Sequence, residues 1–116
     1  MPAIEKTIKE MAVDLTVKLT AILENSKGKT VFINQILRSA SSIGANAYEA
    51  KYAQSKLDFV NKLEISLKEC YETEYWLEIL QKTGGLEFAQ YDLLLQTCGT
   101  IRRMLIASIT KVKSEL

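Results

Sequence analysis

Three glutamates and a short line of polar partners are the residues here whose types and spacing could do chemistry. Arg38, Ser42, Asn46 and Glu49 recur at intervals of four, four and three, so a helix stacks them along one side. Glu72 and Glu74 follow in a Glu-Thr-Glu run. Paired carboxylates can serve as general acid and base or bind a metal. The chain has no histidine, which removes the commonest general base and metal ligand. Di-iron bundles need Glu-x-x-His on facing helices, so that chemistry goes with it. Ser39, Ser41 and Ser42 have no partner for a serine triad. Gly84-Gly85 is too short for a phosphate-binding loop and follows no strand. Cys70 and Cys98 form no Cys-x-x-Cys pair and read as small reduced core residues. Arg38, Ser42, Asn46, Glu49, Glu72 and Glu74 therefore read as a structural polar cluster that fixes helix register. No catalytic residue, cofactor or metal is expected, and the chain reads as not an enzyme.

Helices must position these groups. Ile4, Ile8, Met11, Leu15, Leu19 and Ile22 keep the 3/4 rhythm of one apolar face, with Pro2 suited to a first turn. Asn25-Ser26-Lys27-Gly28 stops that helix, with Gly28 as a left-handed cap. Thr30 is the expected cap of a second helix, whose stripe is Ile36, Ala40, Ile43, Ala47 and Ala50 and which extends to about Gln54. Ser55 and Asp58 match a capping box, and the apolar phase slips by one residue beyond it. A third helix follows, with Val60, Leu63, Leu67, Cys70 and Leu77 on its seam and Glu74 falling between the last two. Thr83-Gly84-Gly85 ends it, and a fourth begins near Glu87 with Tyr91, Leu94, Cys98, Ile101, Leu105, Ile109 and Val112 inward. Four long helices on short connectors predict an all-α, antiparallel up-down-up-down four-helix bundle.

Length and composition agree. At 116 residues the chain suits one domain with one core, spanning residues 1–116. Its formal charge of +1 lacks the basic excess of a protein that grips nucleic acid through phosphates. No apolar run is long enough to span a membrane, and Met-Pro-Ala-Ile-Glu-Lys lacks the apolar core of a signal peptide. A cytoplasmic location without membrane contact is the expectation.

Arg38-Ser-Ala-Ser-Ser-Ile-Gly-Ala-Asn-Ala-Tyr-Glu49, Ser55-x-x-Asp58-Phe59-x-x-Lys62-Leu63 and Ser66-Leu67-Lys68-Glu69-Cys70-x-Glu72-Thr73-Glu74-Tyr75-Trp76-Leu77 together resemble the bacterial four-helix-bundle proteins, also called 23S rRNA intervening-sequence proteins. The resemblance covers about residues 30–112. It implies a four-helix bundle that assembles as a homopentamer. A more distant relative is the accessory protein of diversity-generating retroelements, which works with a reverse transcriptase and its RNA.

Two further sets of residues bear on partners. Lys27 and Lys29 in the first connector, with Arg102, Arg103, Lys111 and Lys113 toward the end of the fourth helix, are the candidate nucleic-acid contacts. Their plainer reading is that cations favour helix C-termini. Val13 and Val17 lie off the main seam of the first helix, and Tyr71, Tyr75 and Trp76 share a region of the third. These five are the candidate oligomer interface, because apolar side chains beyond one stripe per helix mark subunit contacts. The expected function is a non-enzymatic homo-oligomeric scaffold or binding module, a pentamer by resemblance. The competing expectation is an RNA-binding or reverse-transcriptase accessory protein.

Overall fold

Thr7 sets where the first helix begins. Its hydroxyl accepts from the Glu10 backbone N–H at 3.1 Å, and the Glu10 carboxylate accepts from the Thr7 N–H at 3.2 Å. This reciprocal cap starts α1 (Ile8–Leu23), and Lys6 and Thr7 themselves are not helical. The computed structural model describes residues 6–116, so the start expected at Pro2 and the seam position Ile4 lie outside the described residues. The remaining helices are α2 (Thr30–Ala50), α3 (Lys56–Lys82) and α4 (Phe88–Lys113), and the described residues contain no strand.

The connectors depart from expectation in detail. Gly28 has φ +76° as expected of a left-handed stop, but Lys29 follows it with φ 55° and is the N-cap of α2. Thr30 is the first helical residue and caps nothing. Helix α2 ends at Ala50, short of Gln54, and a turn over Lys51 and Tyr52 leads to Ser55. The Ser55 hydroxyl accepts from the Asp58 N–H at 3.0 Å. The Asp58 carboxylate reaches back one residue further than a capping box requires, to the Gln54 N–H at 3.3 Å. Beyond Thr83, Gly85 donates to the Leu80 carbonyl at 2.7 Å and Gly84 to that of Gln81 at 3.2 Å. That paired closure needs a left-handed residue at Gly84, where φ is +84°.

Helices adjacent in sequence are adjacent in space, and the diagonal pairs α1/α3 and α2/α4 do not approach. Contacts fix the directions. The start of α3 meets the end of α4 through Lys56 and Glu115 at 3.3 Å and through Glu64 and Lys113 at 2.7 Å. Between α2 and α3, Ile43 faces Ser66 while Ser39 faces Thr73, so the numbering descends on one helix as it climbs on the other. The result is an antiparallel up-down-up-down bundle. Leu15, Leu19, Ile36, Ile43, Leu77, Leu80, Leu94, Ile101 and Leu105 fill its core with little or no exposure. Helices α1 and α2 pack closest at Gly44, where an added Cβ would lie 3.2 Å from the Ala12 Cβ.

The α3 seam differs from the expected one. Its inward positions are Val60, Leu63, Ser66, Cys70, Thr73, Leu77 and Leu80. Thr73 stands where Glu74 was expected, and Leu67 is only half-buried. The physical reason is local. The Thr73 hydroxyl lies 2.8 Å from the Glu69 carbonyl of its own helix and 2.9 Å from the Ser39 hydroxyl. The Ser66 hydroxyl donates across to the Ile43 carbonyl at 2.8 Å. A small hydroxyl that returns to backbone is cheap to bury, whereas a carboxylate is not.

Candidate functional site

The six residues expected to form one polar cluster are divided among separate groups. Arg38 is the centre of the first. One guanidinium nitrogen donates to Glu69 at 3.1 Å, another donates to the Glu72 carboxylate, and Nε approaches Gln35 at 3.4 Å. The same Glu72 oxygen accepts from the Trp76 indole N–H at 3.0 Å. Trp76 stacks on Phe32 with centroids 6.0 Å apart, and Tyr75 meets its ring edge-on at 4.9 Å. The Trp76 hydrogen bond, aided by Arg38, holds the Glu72 carboxyl below the ordinary glutamate range against a desolvation cost. Arg38 is correspondingly pushed up, chiefly by Glu72. Glu69 and Trp76 belong to this group, and sequence reading did not include them in it. Their spacing from Glu72, three before and four after, was the available signal.

Glu74 does not join Arg38. A residue step turns a helix by about 100°, and Glu74 sits on the α4 side of α3. Its carboxylate accepts from Arg102 Nε at 3.1 Å, and the Arg102 guanidinium lies 5.9 Å from the centre of the Tyr71 ring. Gly99 leaves the room, since a Cβ there would come within 3.3 Å of Arg103 and 3.6 Å of Arg102. Asn46 donates to the Ser42 carbonyl of its own helix at 2.9 Å, so this pair bridges no helices. Glu49 faces Lys62 at the loose distance of 3.9 Å. Among the described residues no buried side-chain nitrogen or oxygen lacks a partner, and no group of three or more potential metal ligands is present.

The candidate nucleic-acid contacts are divided as well. Antiparallel topology puts the C-terminus of α1 and the C-terminus of α4 at opposite ends of a molecule 47 Å long. Lys27 and Lys29 sit at one end, where the Lys29 stem passes over Gly85. Lys111 and Lys113 sit at the other, with Lys113 paired to Glu64. Arg102 is engaged by Glu74, and Arg103 donates to the Thr100 hydroxyl at 3.2 Å. These six cations form no single surface. The two thiols face one another in the core, Cys70 donating to the Cys98 carbonyl at 3.3 Å. That neighbour, together with burial, pushes the Cys98 thiol far up, the opposite of what a reactive cysteine needs.

Four of the five candidate interface residues are exposed. Val13 and Val17 are 46% and 62% exposed, and Tyr71 and Tyr75 are 50% and 55% exposed. Trp76 is half-buried between Phe32 and Tyr75, which sets it apart from the two tyrosines. Two shallow depressions flank Val17 along the α1–α2 edge. One is lined by Val13, Thr16, Ser41, Gly44 and Ala45, the other by Thr20, Ala21, Ile33 and Leu37. The first has no charged side chain in its lining, whereas Glu24 borders the second. On α3, Tyr71 lies beside Arg102 of α4, while Tyr75 meets Trp76, which stacks on Phe32 of α2.

Comparison with known proteins adds the family. No functionally curated protein matches the chain. A solved structure from Bacteroides thetaiotaomicron VPI-5482, described as a protein with unknown function from the S23 ribosomal protein family, has a TM-score of 0.83 and 42% identity. It covers 89% of this chain and 98% of its own. The sequence model of the 23S rRNA-intervening sequence protein matches residues 5–107. Matched over most of its length in sequence and in backbone, the chain belongs to the 23S rRNA-intervening sequence protein family.

Proposed function

We propose that this protein is a non-enzymatic scaffold or binding module that works as a homo-oligomer, with five copies as the number the family resemblance implies. One observation carries the reading: Val13 and Val17, one turn apart on α1, and Tyr71 and Tyr75, one turn apart on α3, are about half exposed as apolar pairs. Single exposed apolar residues are ordinary, but grouped ones flanked by uncharged small residues are the composition of an interface core. The polar groups support the same reading. Arg38, Glu69, Glu72, Glu74 and Arg102 are occupied with one another, which suits holding helices in register and leaves no obvious reactive pair. Light scattering coupled to size exclusion tests it, with a mass of several chains expected at micromolar concentration. A monomer at that concentration refutes the proposal.

A further inference from the structure

All four helices contribute to a cleft of about 400 Å³ at the end of the bundle where α1 begins. Small side chains make the room. Ala47 sits between Ile43 and Ala50 on the α2 stripe, and Ser108 lies between the buried Leu105 and Ile109 on α4. The apolar lining comes from Ile8 of α1, Ala47 of α2, and Phe59 and Leu63 of α3. Such a volume is at the lower end of the ~300–1,000 Å³ range of small-molecule sites.

The charged lining is weighted to one sign. Lys9 on α1 and Lys51, which follows α2, both border the cleft. Among the described residues neither forms an ion pair. The Lys9 ammonium lies 5.7 Å from the centre of the Tyr48 ring, which lines the cleft as well. The Tyr48 phenol is pushed up, first by its hydrogen bond with Tyr52, while Lys9 and Lys51 both pull it down. Both ammoniums therefore stand near one hydroxyl. Glu10, an acid on the same lining, has its carboxylate turned to the Thr7 N–H at 3.2 Å, where it serves the cap of α1.

The depression lined by Thr20, Leu23, Ile33 and Leu37 offers a contrast. It is apolar too, but its charged residue is Glu24 and no cation borders it. A purely apolar compound would choose between the two on shape. An anion with an apolar body is repelled at one and held at the other.

We infer that the cleft at the α1 end binds a small carboxylate carried on an apolar chain, of the size of a medium-chain fatty acid. The chain lies against Ala47, Phe59 and Leu63, and the carboxylate meets Lys9 and Lys51. Two exposed lysines hold a bare anion weakly, and an apolar cleft of this size holds a bare chain weakly. Selectivity comes from having both in one molecule.

Sodium octanoate, 1-octanol and octyltrimethylammonium bromide test this, because they share a chain and differ in head group. Calorimetric titration of the full chain should find octanoate bound at least about tenfold tighter than the other two. Methyl NMR should locate it: octanoate shifts Ile8, Ala47 and Leu63 and leaves Leu23 and Ile33 unmoved. Lys9→Gln/Lys51→Gln changes two exposed positions, and circular dichroism checks that its fold is intact. This variant should lose the preference for octanoate while still taking up 1-octanol. Equal binding of the three compounds overturns the proposal, as do octanoate shifts confined to Leu23 and Ile33, or a lysine variant that still prefers octanoate. Absence of octanoate binding to the unaltered protein at millimolar concentration overturns it outright. None of these results depends on how many copies assemble.

Discussion

Trp76→Phe isolates one hydrogen bond of the Arg38 group and gives its effect a pH signature. Phenylalanine can keep the stacking on Phe32 and the edge contact with Tyr75. It removes the indole N–H that reaches Glu72 at 3.0 Å. A hydrogen bond to a charged group contributes about 1.5–3 kcal/mol when buried. The Glu72 side chain is 36% exposed, so solvent reduces this to about 1 kcal/mol. In a domain of this size that lowers the melting temperature by about 4 °C. The indole bond is the main influence holding the Glu72 carboxyl below the ordinary value of 4.5. A group whose folded pKa is depressed contributes stability that is fully present above its unfolded pKa and disappears as pH falls through the folded one. The difference between the two proteins should therefore have two parts. A packing part, from the smaller ring, persists at every pH. The hydrogen-bond part is present at pH 7 and vanishes once acid has protonated Glu72 in both states. Thermal melts at neutral pH and well below 4.5, at one protein concentration, measure both, and carbon NMR of the Glu72 carboxyl should show its pKa moving up in the variant. Equal differences at both pH values, or an unmoved Glu72 titration, would refute the argument.

Two other tests probe the frame around that group. Gly84→Ala should destabilise by about 1 kcal/mol, because φ is +84° there and a Cβ would meet nothing within 4 Å, so the cost is backbone strain alone; a urea midpoint that does not fall contradicts this. Cys70 and Cys98 should react with a thiol reagent at least about a thousandfold slower than in unfolded chain, at a rate that rises with denaturant, since both are buried and the Cys98 thiol is pushed up. Rapid labelling of the native protein at pH 8 would show that the α3–α4 seam opens locally.

How far the sequence could be read depended on whether the deciding interaction was local. The Ser55 cap was legible because its oxygen and the Asp58 N–H are three residues apart. Lys29 was not, because its left-handed φ of 55° has no signature in residue type, whereas that of Gly28 does. On α3 the sequence allows two inward paths from Cys70 to Leu77, through Thr73 or through Glu74, and neither residue is apolar. What separates them is the Ser39 hydroxyl on α2, which waits opposite Thr73. Small hydroxyls at Ser39, Ser66 and Thr73 were the overlooked signal, since such groups can be buried against helix backbone. The division of the cations needed no coordinates at all. Once an up-down-up-down order is accepted, odd and even helices end at opposite poles, and Lys27 cannot share a surface with Lys111.

The same division of polar contacts shows how the bundle is held. Helices α2 and α3 are tied by Arg38 to Glu69 and Glu72, by Ser66 to Ile43 and by Thr73 to Ser39. Helices α3 and α4 are tied by Arg102 to Glu74, Lys113 to Glu64 and Lys56 to Glu115. Among the described residues no ion pair or side-chain hydrogen bond joins α1 to another helix. It is held by Ala12, Leu15, Leu19 and Leu23, by its close approach to Gly44, and by the Lys9 ammonium 5.7 Å from the Tyr48 ring. Apolar contacts fix burial but specify register weakly, and directional polar contacts specify it strongly. Helices α3 and α4 thus have their mutual register pinned by three ion pairs. Helix α1 is the least pinned, and its distance from α2 is set at Gly44, where a Cβ would press on Ala12 and push the two helices apart.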